Sequence, residues 1–123
     1  MVDSRFRSYP DTPLLDRLAD CMSNGAFVPG ALQPRWREVE LAKLRVTLTI
    51  DGEVIVERDG GHPTVDPLLP AIALVNELRS RGGVEAGHVM TTGTYTGLNF
   101  AKPGQTVVAA FEGFSAAQVV FNV

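Results

Sequence analysis

The sequence lacks the features that mark secreted, membrane-spanning and nucleic-acid-binding proteins. Cys21 is the only cysteine, so no disulfide can form within the chain, and a reducing, cytoplasmic compartment is expected. The first residues have no apolar core like that of a signal peptide, and proline, glycine or charge interrupts each apolar stretch before the roughly 20 residues of a membrane span. The net charge is −3 without any basic run, which argues against nucleic acid and membrane surfaces as partners.

The composition is that of a globular protein. Of 123 residues, 45% are hydrophobic and 20% are charged, a balance that argues against disorder. The length fits one domain of common size, so residues 1–123 are expected to form a single domain. No dinucleotide-binding or phosphate-binding loop signature occurs.

Two helices are expected. The first begins near Pro13, where Asp11 or Thr12 can cap it, and ends at Asn24-Gly25. Its apolar residues recur at helical spacing and predict a buried stripe, made of Leu14, Leu15, Leu18, Cys21 and Met22. Because no activating cation is evident near Cys21, we expect a buried, unreactive thiol rather than a nucleophile.

The second helix is expected to have Asp66 as its cap and Pro67 at its first position, and to end at Gly82-Gly83. Its apolar residues share one face that is expected to be buried, formed by Leu68, Ala71, Ile72, Val75 and Leu78.

A hairpin is the clearest β signal. Apolar residues and threonines alternate over residues 46–50, Asp51-Gly52 suits a tight two-residue turn, and residues 54–58 return. Further β runs are expected at residues 88–91, 106–111 and 117–121. Together the elements predict an α+β fold in which β structure dominates.

Thr92-Gly93-Thr94 lies between two of these β runs. Its hydroxyls and backbone donors suit recognition of a carboxylate or a carbonyl better than catalysis. Turn chemistry alone explains most threonine loops that contain glycine, so a plain turn is the alternative interpretation.

Several motifs occur in an order that is informative as a set: Val2-Asp3-Ser4-Arg5, then residues 24–30, Asp51-Gly52-Glu53-Val54, Gly61-His62-Pro63 and Thr92-Gly93-Thr94. In this order the chain resembles the C-terminal half of the 2-hydroxypenta-2,4-dienoate hydratase and 4-oxalocrotonate decarboxylase family, within the fumarylacetoacetate hydrolase superfamily. The resemblance implies part of a mixed β-roll with two helices packed outside. It also implies a metal-dependent hydratase or decarboxylase that acts on 2-hydroxydienoate or 2-oxo acids from catechol meta-cleavage.

The resemblance suggests roles for particular residues. It implies substrate contacts from Thr92, Gly93, Thr94, Asp3, Ser4 and Arg5, and a catalytic role for His62, for which a loop histidine in turn chemistry is the alternative. For Asp3 and Arg5 a structural ion pair is an equal alternative. His88 replaces an aspartate that is usual in the family, and we expect a surface or strand-edge residue there.

The family's Mg²⁺ or Mn²⁺ is held by carboxylates that the resemblance places before Met1, so no metal ligand and no tight metal binding are expected from this chain alone. Glu38 and Glu40 repeat the spacing of the family's paired ligands, but they precede the hairpin and are expected to be solvated.

The expected partners are a small 2-oxo or 2-hydroxydienoic acid and either further copies of the chain or a companion chain that carries the N-terminal half. The alternative function is a non-catalytic split or degenerate module that binds a small keto acid or serves as an oligomer subunit. The absence of the family's metal ligands from the sequence favours that alternative.

Overall fold

The computed structural model describes residues 1–122, and Val123, the last residue of the predicted domain, lies outside the described residues. The elements are α1 Leu14–Ala19, β1 Arg45–Ile50, β2 Glu53–Asp59, α2 Leu68–Leu78, β3 Thr106–Phe111 and β4 Ala117–Val120. Short 3₁₀ turns occupy Cys21–Ser23, Trp36–Glu38, Leu41–Lys43 and Arg79–Arg81. The predicted α+β class with dominant β structure is confirmed.

The strands form one sheet in the order β2-β1-β3-β4. Every pairing among the described strands is antiparallel, whereas a mixed sheet was expected. Two hairpins, β1–β2 and β3–β4, lie side by side with β1 antiparallel to β3, so no parallel crossover arises. β2 and β4 are therefore the two edges of the sheet.

The predicted hairpin is confirmed. Asp51 and Gly52 both have positive φ, at 51° and 85°, as a two-residue turn of the primed type requires. Hydrogen bonds from the Thr106 N–H and the Gln105 amide reach the Asp51 carboxylate and hold its pKa below the ordinary value. The turn is thereby attached to the start of β3. The register shifts between Leu48 and Thr49, which places a bulge in β2.

The core is small and lies at one end of the sheet. Its buried apolar side chains are Leu44, Val46, Leu48 and Tyr95. Three of these form one cluster, Leu44, Val46 and Tyr95. Four partly buried apolar residues pack against this cluster: Val39, Leu41, Phe111 and Phe114. The alternation of Val46 and Leu48 with threonines on β1 explains why that strand has one buried face.

The first helix differs from the prediction. α1 ends at Ala19 and has no buried residue, and no side-chain hydrogen bond caps it at Pro13. Thr12 is buried but pairs with Ser8 instead of capping the helix. Cys21 follows α1 in a 3₁₀ turn with φ of 50° and is exposed, so the prediction of a buried thiol is wrong. The apolar spacing was helical, but no element among residues 1–122 covers that stripe.

The second helix is capped as predicted, since the Asp66 carboxylate accepts a hydrogen bond of 2.8 Å from the Leu68 N–H. Pro67 precedes the helix rather than opening it. The 3₁₀ turn Arg79–Arg81 follows α2, and Gly82, with φ of 100°, ends that turn. The expected buried face is only partly covered, because α2 has no buried residue. No helix among residues 1–122 has the length and apolar character to cross a membrane.

Residues 88–91 were expected to form a strand and do not. A β run needs a neighbouring strand for its backbone groups, and this segment has none among the described residues. The strand over residues 106–111 is confirmed, and the last run forms β4.

The chain exposes more surface than a compact protein of its size. Its accessible surface is 9041 Å². A compact monomer of this mass would expose roughly 6,400 Å². Large apolar side chains on both helices and on β2 are exposed, among them Leu15, Ile72 and Val54. Much apolar surface therefore has no partner within residues 1–122.

The turn gives a direct test of the hairpin. We expect Gly52→Val to lower the free energy of unfolding by about 1 kcal/mol or more, because a β-branched residue is strained at positive φ. No atom lies within 4 Å of a Cβ built at Gly52, so the loss reports backbone strain and not a clash. Gly52→Asn is the matched control and should lose less, since asparagine tolerates this conformation. Equal losses in urea unfolding would contradict the turn type.

Candidate functional site

His62 connects two segments that are far apart in sequence. It lies between β2 and α2 and is buried, with 5% of its surface exposed. Its Nε2 lies 3.0 Å from the Thr92 carbonyl oxygen, and its Nδ1 lies 3.3 Å from the Thr64 backbone nitrogen and 2.9 Å from Thr64 Oγ1. A carbonyl oxygen can only accept a hydrogen bond, so Nε2 is the protonated nitrogen and donates the bond to Thr92. Nδ1 accepts a hydrogen bond from the Thr64 N–H. The structure thus brings together two of the predicted site residues, His62 and Thr92.

Both ring nitrogens of His62 are engaged by the protein. Proton transfer by this ring would require one of the two hydrogen bonds to open. In the arrangement seen, the ring fixes the position of the Thr92 carbonyl and with it the start of the threonine loop. The catalytic role of His62 stays a prediction.

Tyr95 joins the same loop to the sheet. Its ring meets the His62 ring edge-on at 5.2 Å between centroids, and it meets Phe111 on β3 at 5.1 Å. Its hydroxyl donates a 2.7 Å hydrogen bond to the Leu41 carbonyl, and Arg58 donates to its backbone carbonyl. Burial and the nearby Asp66 carboxylate raise the pKa of the Tyr95 phenol. The loop is therefore held at both its His62 and its Tyr95 contacts.

Gly93 is required by close approach. Its φ is 131°, and a Cβ at this position would lie 2.8 Å from His62 Nε2. Any side chain would therefore displace either the ring or the loop. The glycine of the Thr-Gly-Thr motif has a packing reason in this chain, in addition to its predicted contact with substrate.

Thr94 is exposed, and its hydroxyl organises its own loop. Oγ1 accepts a 3.1 Å hydrogen bond from the Thr96 N–H and lies 3.2 Å from Thr96 Oγ1. Such a turn presents the threonine hydroxyl at the surface. Of the three loop residues, Thr94 is the one whose side chain is most available to a ligand.

Asp3, Ser4 and Arg5 form a separate cluster around Asp20. The Ser4 hydroxyl donates to the Asp20 carboxylate at 2.9 Å, and the Arg5 guanidinium lies 3.2 Å from it. The Arg5 guanidinium also donates to the backbone carbonyls of Asp3 and Asn24, both at 3.0 Å. Asp3 takes part through its backbone, which accepts this bond and donates to the Ser23 carbonyl at 2.9 Å. In this conformation the cluster holds the N-terminal segment against residues 20–26.

The charge of Asp20 is stabilised in place. Burial favours its neutral form, but the Ser4 hydroxyl, the Arg5 N–H and the Arg5 charge outweigh burial and hold the pKa of Asp20 below its ordinary value of 3.8. Arg5 is thereby engaged in a structural ion pair, which was one of the two alternatives left open by the sequence.

The two groups of predicted site residues are separate. Within residues 1–122 no hydrogen bond or ion pair joins the Asp3-Ser4-Arg5 cluster to the His62 loop. Two shallow grooves of about 420 and 400 Å³ lie elsewhere, one beside Leu41 and Asp66 and one beside Ile50 and Phe100. None of the predicted site residues lines either groove, so neither groove encloses the threonine loop.

Three residues expected at the surface are found there. Glu38 and Glu40 are exposed and pair with Arg35 and Lys43 within their own turns, which confirms their solvated character. His88 is exposed, and its Nδ1 accepts a hydrogen bond from the Glu85 N–H.

Sequence reasoning missed Tyr95 and Asp20. Tyr95 directly follows the threonine loop in the sequence. An aromatic residue at such a position could have been predicted to be buried and to anchor the loop. The role of Asp20 was not predicted, because its partners Ser4 and Arg5 lie far away in sequence.

The side chains that could ligate a metal ion are not grouped in a way that fits one among residues 1–122. Among residues 1–122 no group of three histidine, cysteine, aspartate or glutamate side chains lies close enough to share one. A hard divalent cation needs several oxygen ligands in fixed geometry.

No protein-family model matches the sequence. The chain is similar over 99% of its length to curated proteins named 2-keto-4-pentenoate hydratase, at 30% identity in both Paraburkholderia phymatum and Burkholderia vietnamiensis. A protein named 2-keto-4-pentenoate hydratase 2 from Dechloromonas aromatica is 26% identical over 98% of the chain. The chain spans about half the length of these relatives, 46–47%. The similarity supports the resemblance to the hydratase family at a distant level.

Because Gly93 lies so close to His62, a side chain at position 93 is expected to displace the His62 ring. Gly93→Ala should displace the His62 ring, because the new methyl group would lie within 2.8 Å of Nε2. Histidine-selective NMR should then show a shifted and broadened Nε2–H resonance. Gly97→Ala is the control, since Gly97 also has positive φ but open space at its Cβ position. A His62 resonance that is unchanged by Gly93→Ala, or changed equally by Gly97→Ala, would contradict the close contact.

The lowered pKa of Asp20 predicts that the folded chain loses stability at acidic pH. A carboxylate whose pKa is depressed in the folded state adds stability above its unfolded pKa, and that stability is lost as the pH falls towards the folded pKa. The decline should therefore begin near pH 3.8 and continue below it. Asp20→Asn should reduce this dependence in urea unfolding, while Asp51→Asn, which removes the other carboxylate of lowered pKa, should leave the Asp20 part in place. An unchanged acid slope in Asp20→Asn would contradict the assignment.

Proposed function

We propose that this chain is the substrate-contacting, C-terminal half of a hydratase in the fumarylacetoacetate hydrolase superfamily, acting on a 2-hydroxydienoate or 2-oxo acid. The observation that carries the proposal is the similarity to proteins named 2-keto-4-pentenoate hydratase along 99% of the chain. The chain spans about half of those proteins, and it exposes more surface than a compact monomer of its mass, with many large apolar side chains exposed. A second half that covers this surface accounts for both facts.

The threonine loop is proposed to bind the acid. The Gly93 N–H offers a donor to a carboxylate or a 2-oxo group. The Thr94 hydroxyl offers a second donor once it leaves the Gly97 carbonyl, to which it donates at 3.4 Å. Thr92 is held in position by its bond to His62. Tyr95 ties the far side of the loop to Leu41. A loop fixed at both sides loses little conformational entropy when it binds a ligand.

His62 is proposed to act as a positioning residue in this site. Its ring orients the Thr92 carbonyl and fills the space that Gly93 leaves open. Asp3, Ser4 and Arg5 are proposed to form the junction with the other half. In this chain Arg5 is already bonded to Asp20, so a direct contact with substrate would need Arg5 to leave that carboxylate.

The Mg²⁺ or Mn²⁺ of the family does not fit the side chains of residues 1–122. In the proposal the carboxylates come from the other half, which supplies the metal-binding group. This chain contributes the binding loop, and the hydration itself adds water to a double bond conjugated with the 2-oxo acid.

A non-catalytic module is the second candidate. The donor set that does not fit a metal favours it, because a degenerate relative needs only the binding loop. It would still bind a small keto acid at Thr92-Gly93-Thr94 or serve as an oligomer subunit, but it would gain no activity from an added half.

Reconstitution separates the two candidates. The purified chain alone should not hydrate 2-hydroxypenta-2,4-dienoate in the presence of Mg²⁺ or Mn²⁺. Activity should appear when a polypeptide that carries the N-terminal half of the Paraburkholderia phymatum relative is added. Within the active mixture, Thr94→Val should lower kcat/KM by about tenfold, as expected when one hydrogen bond to a substrate is lost.

Thr91→Val is the matched control, because Thr91 is exposed in the same segment but lies outside the Thr-Gly-Thr loop. It should leave kcat/KM unchanged. Metal-dependent turnover by the chain alone would contradict the proposal, and a mixture that assembles without turnover would favour the non-catalytic module.

A further inference from the structure

The two edges of the sheet differ in how they are protected. β2 carries a bulge beside Leu48 and the charged residues Glu53, Glu57, Arg58 and Asp59. Bulges and charges are the usual means by which an edge strand avoids pairing with another chain. β4, Ala-Gln-Val-Val, has no charge, no proline and no bulge in its pairing with β3. By these criteria β4 is the open edge.

Among residues 1–122, β4 has a partner strand on one side only, so its other side presents hydrogen-bonding backbone groups at the edge of the sheet. The Phe121 N–H donates to the Gln105 carbonyl and the Phe121 carbonyl accepts from Gly104, so Phe121 faces β3. Backbone groups alternate sides along a strand. Val119 therefore also faces β3, whereas the N–H and C=O groups of Gln118 and Val120 point away from it.

These free groups are self-complementary. In an antiparallel pair about a two-fold axis at Val119, Gln118 of one copy lies opposite Val120 of the other. The two residues then exchange N–H···O bonds in both directions, and the symmetry repeats the exchange. Val119 meets its own counterpart, which is a favourable pair of β-branched residues.

Apolar surface is available at this edge. The chain as a whole exposes 9041 Å², about 2,600 Å² more than a compact monomer of the same mass, and its exposed apolar side chains lie on α1, α2 and β2 as well as on β4. Val120 is 46% exposed, so apolar surface lies at this edge itself.

We propose that β4 is an association edge for a second copy of this chain, with β4 pairing antiparallel to β4 so that one sheet continues across the two copies. The proposal does not depend on the function of the threonine loop, and it needs no segment beyond the described residues.

Sedimentation equilibrium tests the proposal on the purified chain. The chain should form a dimer, and Gln118→Pro should weaken the dimer by at least about tenfold. The N–H that this change removes points away from β3, and an edge strand tolerates proline at such a position. Gln118→Lys is a second variant that keeps the N–H and adds an edge charge, and it should weaken the dimer as well. Circular dichroism checks that each variant is folded.

Glu57→Pro is the matched control on the other edge. The Gly60 N–H donates to the Leu44 carbonyl, so alternation directs the Glu57 N–H away from β1. Its exposed ion pair with Arg45 contributes little. This variant should leave the dimer intact, and amide exchange at Gln118 and Val120 should be slow only in the dimer. A monomeric chain, a dimer unaffected by both Gln118 changes, or a dimer broken by Glu57→Pro would overturn the proposal.

Discussion

The hydrogen bond from His62 to the Thr92 carbonyl is the contact on which the candidate site depends. It joins the loop after β2 to a segment that has no regular secondary structure of its own. The same ring lies against Gly93 and meets the Tyr95 ring edge-on. This contact holds the start of the threonine loop, and the hydrogen bonds of Tyr95 hold its end.

The shortage of buried apolar surface is the second constraint. Among residues 1–122 the core cluster contains only Leu44, Val46 and Tyr95, while the leucines of α1 are exposed and the apolar face of α2 is only partly covered. A chain of this composition normally folds with a larger core. The same shortage motivates both the proposal of a second half and that of an association edge at β4. The two are compatible, because the helices and the β4 edge are different surfaces.

Local chemistry allowed much of the fold to be predicted. The Asp51-Gly52 turn and the Asp66 cap depend on neighbours in sequence, and both are confirmed. The strand over residues 106–111 is confirmed as well, and it has β1 and β4 to pair with. The segment at residues 88–91 has an apolar pattern, but whether it pairs depends on a partner strand that the pattern does not specify. Cys21 was placed inside by its spacing, yet burial also requires a second element to pack against it.

The site was also predictable only in part, because the sequence identifies its motifs but not their long-range contacts. Motif order singled out both His62 and the threonine loop, although nothing in their spacing shows that Nε2 reaches the Thr92 carbonyl. For Arg5, the sequence left a substrate contact and a structural ion pair equally open, and only the folded chain brings in Asp20. Long-range partners of this kind are set by the packing of distant segments.

The central claim is that the loop held by His62 is the binding site for a small acid, and NMR of the labelled chain titrated with oxalate tests it most directly. The account predicts that the amide resonances of residues 92–94 shift first and saturate, together with the Nε2–H of His62. Shifts confined to α1 and α2, or no saturable shift in the loop, would contradict it.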